Sequence, residues 1–179
     1  MIRRLTMRRM LRAQEGASAV EFALIFPLFL LVVLIVVDLA RAIYVYAVIS
    51  DAAREGARYA IVHGSESATD NPPVSGPGSG DPNGDLYVVP QAKSVAVGVD
   101  QSVLLAGACW GFGCQVPANC GTGTNAATAP VANIPVTVRT CYAFQPITFT
   151  PIRFLFSLFR VNWSQTINLG AQSTLTITH

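Results

Sequence analysis

The sequence predicts an α+β protein. A long N-terminal helix crosses a membrane and continues into a small extracytoplasmic domain holding a second short helix and an antiparallel β-sheet. Three observations predict it. Residues 22–37, FALIFPLFLLVVLIVV, carry no charge. The helical pattern then continues without proline from Leu39 to Val62. Beyond residue 85 the chain breaks into short alternating, β-rich segments set between Gly- and Pro-rich stretches. A run of about 20 apolar residues spans a bilayer as a helix, and period-2 alternation marks half-buried strands.

Composition narrows the function classes. The 179 residues are 51% apolar and only 12% charged, about half the charged fraction of an ordinary soluble domain. That argues against a freely soluble cytoplasmic enzyme. A net charge of +2 cannot supply many phosphate contacts, so no nucleic-acid partner is expected. The charge is also unevenly placed. Arg3, Arg4, Arg8, Arg9 and Arg12 stand against Glu15 alone in residues 1–16, a balance of +4, which leaves −2 for residues 17–179.

Residues 1–16 therefore form a basic leader. The next segment, 17–62, reads as one helix, with the membrane span at about 17–37. It is apolar on all faces, unlike a core helix of a small domain. Five arginines before it and a near-neutral stretch after it place the N-terminus in the cytoplasm and the C-terminal domain outside. Pro27 removes one backbone bond and predicts a modest kink.

Past the membrane the helix becomes amphipathic. Asp51, Arg54, Glu55 and Arg58 share one face, and Asp51–Arg54 and Glu55–Arg58 are spaced as i,i+3 ion pairs. Val45, Ile49, Ala52, Ala53, Gly56 and Ala60 share the opposite face. Ala52, Gly56 and Ala60 form one small-residue row, and Ala53 and Ala57 another; such rows admit a closely approaching backbone. The partner is either the protein's own sheet or a neighbouring subunit. A helix from Ala17 to Val62 is roughly 69 Å long at 1.5 Å per residue. About 30 Å of that lies in the bilayer core.

His63-Gly64 stops the helix, and residues 63–85 read as a flexible, exposed loop. Asp81, Asn83 and Asp85 alternate as at the start of a calcium loop, but no glutamate closes it at position twelve, so a plain loop is expected. Residues 86–179 form the small α+β domain. A short helix falls within Val88–Val99, with Pro90 in its first turn. A strand is expected at Ser102–Ala108, a loop over 109–133 and a strand at Ile134–Phe144. A final strand follows at Ser164–Thr178, with a bulge at Gly170. Ile152–Phe159, IRFLFSLF, is too short to span a membrane and suits a bilayer surface or a partner.

Cys109, Cys114, Cys120 and Cys141 all lie beyond the membrane segment. An even count in an oxidising compartment predicts two disulfides, with three pairings open. Gaps of four, five and twenty residues lack the C-x2-C pairs of a zinc site, so no metal is expected. With two histidines, one of them the last residue, no catalytic constellation is legible. No cofactor or small-molecule substrate is expected. Asn162-Trp163-Ser164 matches a glycosylation acceptor, a pattern common by chance.

One junction carries chemical content. Gly16 follows the basic leader and precedes the apolar helix, and Glu21 stands alone five positions later. A carboxylate in a membrane helix costs on the order of 3 kcal/mol and calls for a partner. A cut after Gly16 would give Ala17 a free ammonium group able to pair with Glu21 of its own chain or a neighbour.

Gly16, Glu21-Phe22, Pro27 in the apolar run and AAREGARYA at Ala52–Ala60 together resemble the TadE-like proteins. These are minor pilin-like proteins of tight-adherence (Flp) pilus systems. The resemblance is dense over 16–64. It continues weakly through VTVRTCYAFQPIT at Val136–Thr148 and the Thr-rich last strand, whereas 65–133 follows no family pattern. It implies a pilin-like fold and a non-enzymatic pseudopilin that stays in the bacterial cytoplasmic membrane or enters a pilus base or tip. The chain would be cut by a prepilin peptidase after Gly16, with Ala17, Glu21 and Phe22 completing the processing site and Glu21 setting register. The implied partners are membrane lipid, the peptidase, and other pilin-like subunits and assembly proteins.

Two other readings use the same residues. Ala40-Arg41-Ala42 resembles a signal-peptidase site, whose use would secrete a domain beginning at Ile43. That cut would sever the amphipathic helix, and Asp38 beside the site argues against it. A signal-anchored binding domain or enzyme without a pilus role would instead show a pocket of convergent polar groups.

Overall fold

The computed structural model describes residues 2–63, 75–77, 79–127, 133–148 and 166–177, with side chains from Ser18 onward. Five elements follow in order: α1 (Ile2–Val62), α2 (Val88–Ser94), β1 (Leu104–Trp110), β2 (Pro135–Phe144) and β3 (Ile167–Thr176). The fold class is α+β, with a three-stranded antiparallel sheet in the order β1-β2-β3. The helix stops at Val62 as expected and runs through Pro27 without interruption. It begins at Ile2, so the leader is helical as well.

The chain divides into two compact units. Met1–Ala40 and Pro146–Trp163 form the first; Arg41–Gln145 and Ser164–His179 form the second. In the first, the most apolar stretch of α1 has no residue buried within the protein, and Leu24, Phe22, Leu28 and Phe29 stand well exposed. An apolar helix without protein cover is what a lipid environment requires.

In the second unit, period-2 alternation decides which side chains meet α1. Val136, Val138, Thr140 and Phe144 of β2 are buried together with Leu104, Ala108 and Trp110 of β1. Ala57, Ala60, Val88, Ala108, Trp110, Val136, Val138 and Ile177 form one apolar cluster. Val45, Ile49, Ala52, Ala96, Leu104, Phe144 and Ala171 form a second. Both clusters draw on α1, so its amphipathic half serves as the core helix of the domain. The odd-numbered positions of β1 and β2 belong to the other face. They include Cys109 and Cys141, which are bonded to Cys114 and Cys120 respectively.

The short helix, Val88–Ser94, falls within the expected range, and Gly98 beyond it takes a left-handed φ of 79°. Several boundaries differ from the sequence reading for local reasons. The first strand starts at Leu104, not Ser102, because Asp100 organises a turn there. Its carboxylate accepts from the Ser102 amide at 3.0 Å and hydroxyl at 2.6 Å, and its carbonyl accepts from Val103 and Leu104. The same strand runs on through Cys109 and Trp110, which pair with Thr137 and Val136.

Gly170 makes no bulge; it sits opposite Cys141 in an unbroken register. The loop beyond α1 is only partly exposed where it is described: Gly80, Pro82 and Asp85 are exposed, but Ser75 and Asp81 are buried. The Asp81 carboxylate staples this loop, accepting from Ser75 Oγ, Leu86 N and Tyr87 N. Ile152–Phe159 and Asn162-Trp163-Ser164 lie outside the described residues.

Candidate functional site on the long helix

Residues named from sequence fall into three groups along α1. Gly16 and Ala17 are helical in backbone. Glu21 is exposed, and Phe22 stacks on Phe26 one turn later, with ring centroids 5.4 Å apart. Glu21 is thus a lone carboxylate in an otherwise uncharged, exposed stretch of the helix.

The second group is the small-residue face. Ala52, Ala53, Ala57 and Ala60 have no exposed surface, and Gly56 is buried with them. A Cβ on Gly56 would lie 2.9 Å from Ala92 Cβ and 3.1 Å from Val138 Cγ1. The row therefore seats α2 and β2 of the same chain, so these residues are core and not a free surface. Thr140 Oγ1 reinforces the seat by donating to the Ile49 carbonyl at 2.7 Å. The helix carbonyl thereby accepts from a side chain of the sheet.

The third group is the charged face. Arg54 and Arg58 are exposed and Glu55 is half-buried. Arg54 donates to Asp51 at 2.9 Å, with both side chains about three-quarters exposed; such a pair is worth a few tenths of a kcal/mol. Among the described residues Glu55 and Arg58 form no ion pair. This face is exposed, as are Ile43, Tyr44 and Tyr46 nearer the start of the domain half of α1.

Sequence reasoning missed Asp38, weighing it only as a charge beside a cleavage site. It is 6% exposed. Its carboxylate accepts from the amides of Ile147 at 2.9 Å and Thr148 at 2.7 Å, and from the Thr148 hydroxyl. A carboxylate closing an uncharged run was the available signal. Its partners, more than a hundred residues away in sequence, had none.

Just beyond Asp38, and within the domain unit, Arg41 lies over the Phe144 ring at 5.4 Å. Arg41, Tyr44, Asp100, Tyr142 and Phe144 are among the residues lining an open cavity of about 460 Å³. Among the described residues no group of three His, Cys, Asp or Glu side chains gathers to hold a metal.

A long apolar helix near the N-terminus whose most apolar stretch is unburied is compatible with the class of single-pass membrane-anchored proteins. The sequence model of the TadE-like protein family matches residues 16–58, in agreement with the resemblance read from the residues. The match begins at Gly16, the junction glycine, and ends at Arg58 on the charged face. No curated protein and no solved structure matches the chain significantly. The family match points to a role in the Tad pilus system, whose TadE-like proteins are structural rather than enzymatic.

Proposed function

We propose that this chain is a pseudopilin of the tight-adherence (Flp) pilus. A prepilin peptidase cuts it after Gly16, and it remains in the bacterial cytoplasmic membrane with its domain outside, where it supports pilus assembly and surface adhesion. The observation that carries the reading is the coincidence of three features at one position. The family match starts at Gly16, the basic leader ends there, and Glu21 follows at the fifth residue of the mature chain.

The chemistry of the junction is consistent with assembly. A carboxylate in hydrocarbon is stabilised by a fixed cation, and the new Ala17 ammonium of a neighbouring subunit would be such a cation. That pairing sets the axial register between adjacent apolar helices. Pilin-like subunits, the assembly machine and the peptidase are the partners this requires.

The secretory reading is disfavoured because a cut after Ala42 would fall inside α1. It would remove Asp38, the acceptor for Ile147 and Thr148. The test is Glu21→Gln in the native host. Processing should continue while pilus assembly and adhesion fall sharply. Full adhesion with Glu21→Gln would sink the register role.

A further inference from the structure

Phe112 is 78% exposed, the highest value for any large apolar side chain among the described residues. It is held out on a rigid turn. The Cys109–Cys114 disulfide closes the loop that carries it. Cys114 N donates to the Gly111 carbonyl at 3.2 Å, which makes Gly111–Cys114 a β-turn. Gly113, at the third position, takes the positive φ of +80° that a type II turn requires. Gly111 has no room for a side chain, because a Cβ there would lie 2.5 Å from Ala127 N. A ring displayed in this way is fixed before any partner arrives, so little ordering entropy is left to lose.

The sequence around the ring is uncharged. No Asp, Glu, Lys or Arg occurs from Gln101 to Val138, and Gln115, Pro117, Asn119 and Thr122 are exposed in the loop that follows. An aromatic side chain with charge depleted around it has the composition of an interface core. A receptor of matching character lies on the same domain. Val45, Val99, Val103, Tyr142 and Phe144 are among the residues lining the open cavity of about 460 Å³. That volume lies within the range of small-molecule sites, so one phenyl ring fits. The charged groups of the cavity are already answered. Arg41 lies over Phe144 and has a further partner in the chain, and Asp100 accepts two bonds from Ser102. A neutral occupant suits such a cavity better than an ion does.

Ring and cavity sit at opposite ends of one sheet. Val103 directly precedes β1 and Gly111 directly follows it. Tyr142 pairs with Leu104 at the cavity end, and Val136 with Trp110 at the ring end. The seven residues of β1, at about 3.3 Å each, put roughly 20 Å between the two ends, so Phe112 cannot enter the cavity of its own chain. We propose that the Phe112 turn of one copy of this chain docks in this cavity of a second copy, so that the domains associate head to tail. The contact joins two different surfaces, so each added copy presents a fresh ring and a fresh cavity, and association continues beyond a dimer.

The inference uses the domain unit alone and rests on neither the membrane anchor nor the pilus role. Photocrosslinking of the full chain in detergent tests it, with p-benzoylphenylalanine in place of Phe112. Crosslinked dimers should form, and mass spectrometry should map the link to Val99, Val103 or Tyr142 of the second copy. Mixing two variants then tests the geometry. Phe112→Ala lacks the ring and Val103→Trp fills the cavity. Each alone should associate at least about thirtyfold more weakly than the unaltered chain, the scale of a lost hot-spot residue. Mixed in equal amounts they should recover dimers and nothing larger, because one ring and one open cavity remain between them. Association indifferent to Phe112→Ala, as contact through the apolar helix would give, would overturn the proposal. So would links to detergent alone, links to residues 111–124 of the second copy, or a mixture no more dimeric than its components. The crosslink remains decisive if Val103→Trp does not fold.

Discussion

A hydroxyl on the buried face of a strand is costly unless it finds an acceptor, and Thr140 finds one on the helix it packs against. Its bond to the Ile49 carbonyl ties β2 to α1 at a point where apolar contact alone would leave the helix free to slide. Replacing Thr140 with valine keeps the shape and loses the bond. Thermal unfolding of the solubilised chain should show a loss of about 1 kcal/mol. Gly56 sets a sharper test, because two effects oppose. Alanine is favoured over glycine in a helix by about 1 kcal/mol, but its Cβ would meet Ala92 at 2.9 Å and Val138 at 3.1 Å. Overpacking of this kind costs about 1–3 kcal/mol, so Gly56→Ala should lower stability despite its better propensity. Asp38→Ala removes a charged acceptor from two amides and a hydroxyl. Bonds to charged groups are worth about 1.5–3 kcal/mol. Amide hydrogen exchange at Ile147 and Thr148 should therefore speed up by at least tenfold, while exchange within β2 stays unchanged.

At the scale of elements, periodicity and covalent links decide the outcome. The end of α1, the start of α2 and the place of β2 were legible because each rests on a local rule: a His-Gly stop, a proline in the first turn, and alternation in VTVRTCYAF. The start of β1 was not legible, since it depends on how the Asp100 carboxylate folds back on Ser102. Neither was its end, because Cys109 and Trp110 read as loop until β2 supplies a partner. Two disulfides were legible as a number, but their pairing was not, because it depends on which strand positions share a face. Cys120–Cys141 closes a loop of sequence separation 21, against 5 for Cys109–Cys114. Longer loops lose more chain entropy when tied. Replacing Cys120 and Cys141 together with alanine should therefore destabilise the domain more than replacing Cys109 and Cys114, by about 1 kcal/mol in denaturant unfolding. An equal loss would show that native-state packing of the loop dominates.

Helix α1 shows three characters in turn along its sequence. Its basic start reads as a topology signal, its middle is dressed for lipid, and its end is the core of a domain. The small-residue face could have been read as a subunit interface, and only the burial of Ala52, Gly56 and Ala60 against α2 and the sheet assigns it to the chain's own core. The surfaces proposed for assembly are the apolar stem with Glu21 and the face bearing Arg54, Glu55 and Arg58. The net charge of +2 belongs to the full chain; without residues 1–16 it becomes −2 by side chains. The most direct test of this account is the N-terminal residue of the chain isolated from host membranes. The account predicts Ala17. Met1 would leave an uncut anchor, Ile43 would mean signal-peptidase secretion, and either would contradict it.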